Sequence, residues 1–193
     1  MLSEILKGKR VILASKSPRR QELLKGLDIP FEIITKAVDE SYPNHIATRK
    51  IAEFLSEKKA AAFDDVMDVD VILITADTIV VSNNLVLEKP YNSEEAFKMI
   101  NTLSGQSHEV ITGVTVRSSE KLITFSASTK VEFKTLTETE IEYYIKTYQP
   151  YDKAGSYGIQ EWIGYIGIPR IEGSYFNVMG LPVYELNEVL SKF

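Results

Sequence analysis

Apolar positions along the chain alternate between two periods, and the switches mark its elements. Residues 10–15, RVILAS, form a short β-branched run that predicts a buried strand. Ser17 and Pro18 then read as a helix N-cap and first helical position. Leu23, Leu24 and Leu27 give that helix its stripe, and Gly26 and Pro30 stop it. FEIIT (31–35) alternates as a second strand, and the polar loop KAVDESYPN follows. From Thr48 to Phe63 the spacing is helical, with Ile51, Ala52, Leu55 and Ala62 on one face and Lys58 and Lys59 at its edges.

VDVILITADTIVV (69–81) is nearly continuous in apolar residues, the pattern of a strand buried on both faces. SNN (82–84) turns it back into LVLEKP as a hairpin. A helix over 92–105 has Asn92 as cap, Glu95 completing a capping box, and Phe97, Ile100 and Leu103 as its stripe. HEVITGVTV and KLITFSASTKVEFKTL predict two more strands. Thr137 with Glu140 opens another helix, striped by Ile141, Tyr144, Ile145 and Tyr148. The stretch 149–180 differs: it has six glycines, no helical stripe and one candidate strand at Ile163–Ile168. So long an irregular segment points to function. Pro182 starts a last helix with Val183, Leu186 and Val189. Strands and helices interleave, so the predicted class is α/β with a mixed sheet.

Composition narrows the picture without changing it. The 193 residues are 44% hydrophobic and 25% charged, which suits one large domain or two lobes. There is no cysteine, so disulfides and thiolate metal sites are excluded, and the expected compartment is the cytoplasm. No apolar run has the length of a signal peptide or a membrane span. A net charge of −5 disfavours nucleic acid as a partner. Against that acidic background, Lys16, Arg19 and Arg20 cluster at the start of the first long helix, beside Ser15 and Ser17. A helix N-terminus already carries partial positive charge, so these cations either face solvent or meet an anion there.

Asp77 is the sharpest anomaly, a carboxylate between VILITA and TIVV. Burying it unpaired would cost several kcal/mol, so it needs an ionic, hydrogen-bonding or metal partner. Glu40 and Glu88 are loop acids, Lys89 is held extended by Pro90, and His45 and His108 lack any metal-ligand spacing. No Walker loop, no GxGxxG and no GxSxG appears. From the residues alone, the reading is a binder of a phosphorylated small molecule, with acids able to carry a divalent cation.

LASKSPRRQELL, VDES, KKAAA, TADTIVV, EKPYN, LSGQSHEVITGV, DKAGSYGIQ and RIEGSYFNVMGLPVYEL occur in this order, within a resemblance that runs from residue 11 to about 186. In that order they resemble the Maf family of nucleotide pyrophosphatases. The resemblance implies a single domain over 1–193, an elongated mixed-sheet fold similar to the inosine-triphosphate pyrophosphatases, and two lobes around a deep cleft. It implies hydrolysis of nucleoside triphosphates to the monophosphate and pyrophosphate with a divalent metal, Mg or Mn, and a homodimer. Ser15, Arg19, Arg20, Lys59 and Lys89 match the family's phosphate-binding positions. Lys59 is preferred to Lys58 because it directly precedes the alanine. Glu40 and Asp77 match the metal-binding acids, Asp77 being also the general base. DKAGSYGIQ looks like the branch acting on dTTP and UTP, whose specificity positions match Arg19, Thr78 and Gln160. Gly155 and Gly158 would let the backbone approach the base. The chain departs from the pattern after Gln160, where EWIGYIG replaces a small residue and a varied stretch. The family's association with septum formation leaves a non-catalytic, nucleotide-binding role in cell division as the alternative.

Overall fold

The computed structural model describes all residues from Met1 to Phe193. Its elements are α1 (Leu2–Ile5), β1 (Arg10–Leu13), α2 (Pro18–Lys25), β2 (Glu32–Ile33), α3 (Ile51–Ala61), β3 (Val71–Ser82), β4 (Leu85–Leu87) and α4 (Ser93–Leu103). They continue with β5 (Ser107–Arg117), β6 (Leu122–Glu132), α5 (Glu138–Tyr148), α6 (Trp162–Gly167), β7 (Arg170–Glu172), α7 (Tyr175–Met179) and α8 (Val183–Leu190). Seven strands form one sheet in the order β2-β1-β3-β5-β6-β7, with β4 also paired to β3. β1 runs parallel to β2 and β3, with Arg10 opposite Val71 and Leu13 opposite Ile74. β4 is antiparallel to β3, and β7 to β6. The sheet is therefore mixed and the class α/β, as the pattern predicts.

Local signals act where they are read. The Ser17 side chain accepts from Arg20 N, and Asn92 accepts from Glu95 N at 2.9 Å. Thr137 and Glu140 cap each other reciprocally at the start of α5. The hairpin after β3 turns on Asn83 and Asn84, both in the left-handed region that Asn tolerates better than most residues. Glu95 departs from the expected box: its carboxylate accepts from Tyr91 N, one residue further out.

Three further expectations need correction. FEIIT yields only the two-residue, exposed β2, whose Glu32 forks with Arg10 at 2.7 and 2.9 Å on the sheet edge. The helix expected from Thr48 begins with a 3₁₀ turn, and α3 proper starts at Ile51. Ile163–Ile168 is not a strand but the body of α6. The β-branched residues there suggested extension, but Ile163 and Gly167 are buried one turn apart, and a Cβ on Gly164 would lie 1.8 Å from the Ile159 carbonyl oxygen. The glycine lets the helix rest directly on backbone, a contact that is invisible in a local pattern.

The chain divides into two compact units. The first comprises Met1–Asp77, Thr112–Ala127 and Gly180–Phe193, and the second Thr78–Ile111 and Ser128–Met179. β3, β5 and β6 each contribute residues to both. In the first unit, Ile12, Ala60, Phe63, Val71 and Leu73 form an apolar cluster under α3. α3 also meets β5 backbone to backbone, since a Cβ on Gly113 would fall 2.2–2.4 Å from Ala52 and Glu53 main-chain atoms. Buried hydroxyls complete that seat: Thr75 donates to Ser56 O at 2.7 Å, and Ser56 Oγ lies 2.8 Å from Thr115 Oγ1. In the second unit, His108 stacks on Phe133 and places Nε2 2.7 Å from the Tyr157 hydroxyl. Burial pushes the His108 imidazole down to about 4 and raises the Tyr157 phenol above its ordinary range.

Candidate active site

Asp77 lies seven residues into β3 and is 8% exposed. Its partner comes from α3, seated on the same sheet by Gly113 and Ser56. Lys59 Nζ lies 2.5 Å from Asp77 Oδ1 and 2.8 Å from Glu40 Oε1, so one ammonium holds two carboxylates from a strand and a loop. This resolves the burial problem posed by the sequence: Asp77 is buried and paired. Lys58 turns the other way, 2.9 Å from Asp39 Oδ2 and 2.8 Å from Ser41 O. Asp39, bonded by Ser41 first and Lys58 second, is held well below the usual carboxylate range.

The SKSPRR turn lies in the same unit. Ser15 is buried, its Oγ accepts from Ser17 N at 3.2 Å, and its carbonyl accepts from Gln21 Nε2 at 3.3 Å. Arg19 is half-buried. Arg20 sends Nε to Gly180 O at 2.8 Å and Nη1 to Ala76 O at 2.9 Å. It therefore ties the start of α2 to the residue just before Asp77 and to the segment leading into α8. Burial lowers the Arg20 pKa, with Arg19 acting in the same sense and the Asp77 and Glu40 carboxylates opposing. Arg20 is thus a brace as well as a cation.

Ser15, Arg19, Arg20, Glu40, Lys59 and Asp77 all belong to the first unit, whereas Thr78, Lys89 and Gln160 belong to the second. Thr78 is half-buried, directly after Asp77 on β3. Lys89 is exposed, and the carbonyl before it, Glu88 O, accepts from Gly155 N at 3.1 Å. Gln160 is half-buried, and its side-chain carbonyl oxygen is enclosed with no hydrogen bond. The glycines near it serve the protein's own packing. A Cβ on Gly155 would strike Val80, and one on Gly158 would meet the Gln160 amide and the Glu161 carboxylate.

One polar cluster was not singled out from the sequence. Lys153, 8% exposed, pairs with Asp152 at 2.8 Å and with Glu161 Oε1 at 3.1 Å. The other Glu161 oxygen accepts a hydrogen bond from the Tyr144 hydroxyl, and that hydroxyl accepts from Gly158 N at 2.9 Å. Burial first, and the Glu161 carboxylate second, push the Tyr144 phenol far above its ordinary value, so it stays a donor. Tyr144 sits in an apolar stripe and reads as core. The only sequence signal was a glutamate where the family pattern has a small residue.

Two carboxylates converging on one ammonium form a donor set that also fits a divalent cation of the Mg²⁺ kind, which takes one or two carboxylates and fills its shell with water and phosphate oxygens. No group of three or more His, Cys, Asp or Glu residues is arranged to hold a metal unaided.

The model of the Maf-like protein family matches residues 10–193. The chain belongs to the Maf family. Among curated Maf relatives, the dTTP/UTP pyrophosphatase of Parabacteroides distasonis is 50% identical over 98% of this chain and 99% of its own length. The protein of the same name from Flavobacterium johnsoniae is 49% identical over 99% and 98%. Among solved structures, a nucleoside-triphosphatase, dITP/XTP pyrophosphatase, from Mycobacterium abscessus is a distant likeness, with a TM-score of 0.43 at 11% identity over 93% of this chain and 92% of that one. No helix is long and apolar enough to cross a membrane.

Proposed function

We propose that this Maf protein hydrolyses nucleoside triphosphates, dTTP and UTP foremost, to the monophosphate and pyrophosphate. The observation that carries the reading is the buried Asp77, held with Glu40 on the Lys59 ammonium within the field of Arg20. Full-length relatives named for this activity support the substrate class. A purely nucleotide-sensing or division-linked role would have no use for paired acids so placed.

In this reading Asp77 takes a proton from water as its oxygen attacks the α-phosphorus, and the bond to the bridging oxygen breaks to release pyrophosphate. Arg19, Arg20, Lys59 and Lys89, with Ser15, bind the phosphate oxygens and neutralise charge on the departing group. Glu40 and Asp77 would hold the divalent cation, which supplies further charge neutralisation when bound. Thr78, Arg19 and Gln160 select the base. The unbonded Gln160 carbonyl supports this role, because a buried acceptor left without a donor costs about 1–3 kcal/mol, and thymine and uracil offer one at N3–H. The reading places the protein in the cytoplasm.

Pyrophosphate release measured across dTTP, UTP, CTP, GTP and 7-methyl-GTP tests the reading, with Gln160→Ala beside the wild type. dTTP and UTP lead the wild-type panel, and Gln160→Ala narrows their margin over CTP. A panel led by 7-methyl-GTP, or no turnover with any divalent cation, would overturn it.

A further inference from the structure

A glutamine is an ambiguous reader of pyrimidines. Its amide presents a donor and an acceptor side by side, and a half-turn about the last bond exchanges them. One orientation suits the O4 and N3–H edge of thymine and uracil, and the other suits cytosine equally well. Selection against cytosine therefore requires something that stops the turn.

Glu161 stands where it can do this. The Gln160 Nε2 and the Glu161 Oε2 both lie within 3.0 Å of the point a Cβ on Gly158 would occupy, a space left open because residue 158 has no side chain. The amide nitrogen and the carboxylate therefore share the space over Gly158, and the amide oxygen is the atom left enclosed without a partner. A negative charge beside the amide favours the donor end and repels the acceptor end. The carboxylate itself is pinned, by Lys153 Nζ at 3.1 Å on one oxygen and by the Tyr144 hydroxyl on the other. Tyr144 in turn accepts from Gly158 N, so the same hydroxyl fixes the backbone that makes room for both side chains.

We propose that Glu161 is a positioning residue for base selection, holding the Gln160 amide in the orientation that reads thymine and uracil and rejects cytosine. The inference rests on the role given above to Gln160. It assigns this part to a residue at which the chain departs from the family's sequence pattern.

The test compares kcat/KM for UTP, CTP and GTP in the wild type, Glu161→Gln, Tyr144→Phe and Gln160→Ala. Glu161→Gln keeps volume and removes charge, and the UTP-to-CTP ratio is expected to fall about tenfold, equivalent to about 1.4 kcal/mol. The UTP-to-GTP ratio, set by the size of the base, stays within about twofold. Tyr144→Phe releases one carboxylate oxygen and narrows the UTP-to-CTP ratio less, and it carries the test alone if Glu161→Gln does not accumulate folded. An unchanged UTP-to-CTP ratio in these variants, with Gln160→Ala narrowing it, would overturn the inference and leave the role of Gln160 standing. A uniform fall on all three nucleotides would overturn it too, reducing Glu161 to a packing residue. A Gln160→Ala profile identical to the wild type would remove the reading on which the inference rests.

Discussion

Each of the two units holds a lysine gripped by two carboxylates, and the two triads are built to opposite ends. Lys59 joins Asp77, which is nearly buried, to Glu40, which is about half exposed. Lys153 likewise joins Glu161, mostly buried, to Asp152, mostly exposed. The charges match, but the surroundings do not. Lys59, Asp77 and Glu40 come from a helix, a strand and a loop far apart in sequence, and in the function proposed above a cation or phosphate exchanges into their contacts. Lys153 and Glu161 sit eight residues apart on one segment, with a phenol and a backbone amide closing the network. An ion pair closed by neutral hydrogen bonds to a phenol and a backbone amide fixes geometry.

The largest effect that separates the two comes from removing the acid of the first. Asp77→Asn should keep the fold and lower kcat by roughly a hundredfold or more on every nucleotide, as loss of a general base would. Near-wild-type turnover at saturating Mg²⁺ would erase the difference between the triads. Next, Lys153→Met should lower stability by about 3 kcal/mol, the low end for breaking a buried pair because Asp152 remains in water. Urea unfolding measures this, and a midpoint equal to that of the wild type would mean that the second triad is not structural.

The third effect belongs to the second unit and has a definite sign. His108 is neutral in the fold, its pKa pushed by burial to about 4. An unfolded chain takes up that proton near pH 6.5, so the contribution of the neutral imidazole is intact above 6.5, falls as the pH drops, and is fully lost below about 4. At pH 5 the loss should be about 2 kcal/mol. It should be absent from His108→Gln, so that the two proteins' stability curves diverge only below pH 6.5. Parallel curves from pH 8 to 4 would show that the imidazole bears no such penalty.

What could be read from the sequence was what is decided within a few residues. Ser17-Pro18, Asn92 and the Thr137–Glu140 box each cap a helix through bonds spanning three residues, and each appears where it is read. Asp77 was also legible, because an acid in an apolar run demands a partner. Which lysine answers it depended on the seat of α3, and that seat is set by Gly113, more than 50 residues away. α6 is hidden from a local pattern for a related reason: Gly164 is not a breaker there but the point at which a helix lies on the Ile159 carbonyl. Tyr144 stayed hidden because its ring satisfies the apolar stripe, while its hydroxyl bonds to groups whose position depends on the tertiary fold.

Arg20 has a consequence for the timing of recognition. A free arginine carries about 2 kcal/mol of rotamer entropy, normally surrendered when a ligand is grasped. With Nε on Gly180 O and Nη1 on Ala76 O, Arg20 has surrendered that freedom at folding. An anion reaching this guanidinium meets a charge that is already stationary and loses little more motion by capturing it.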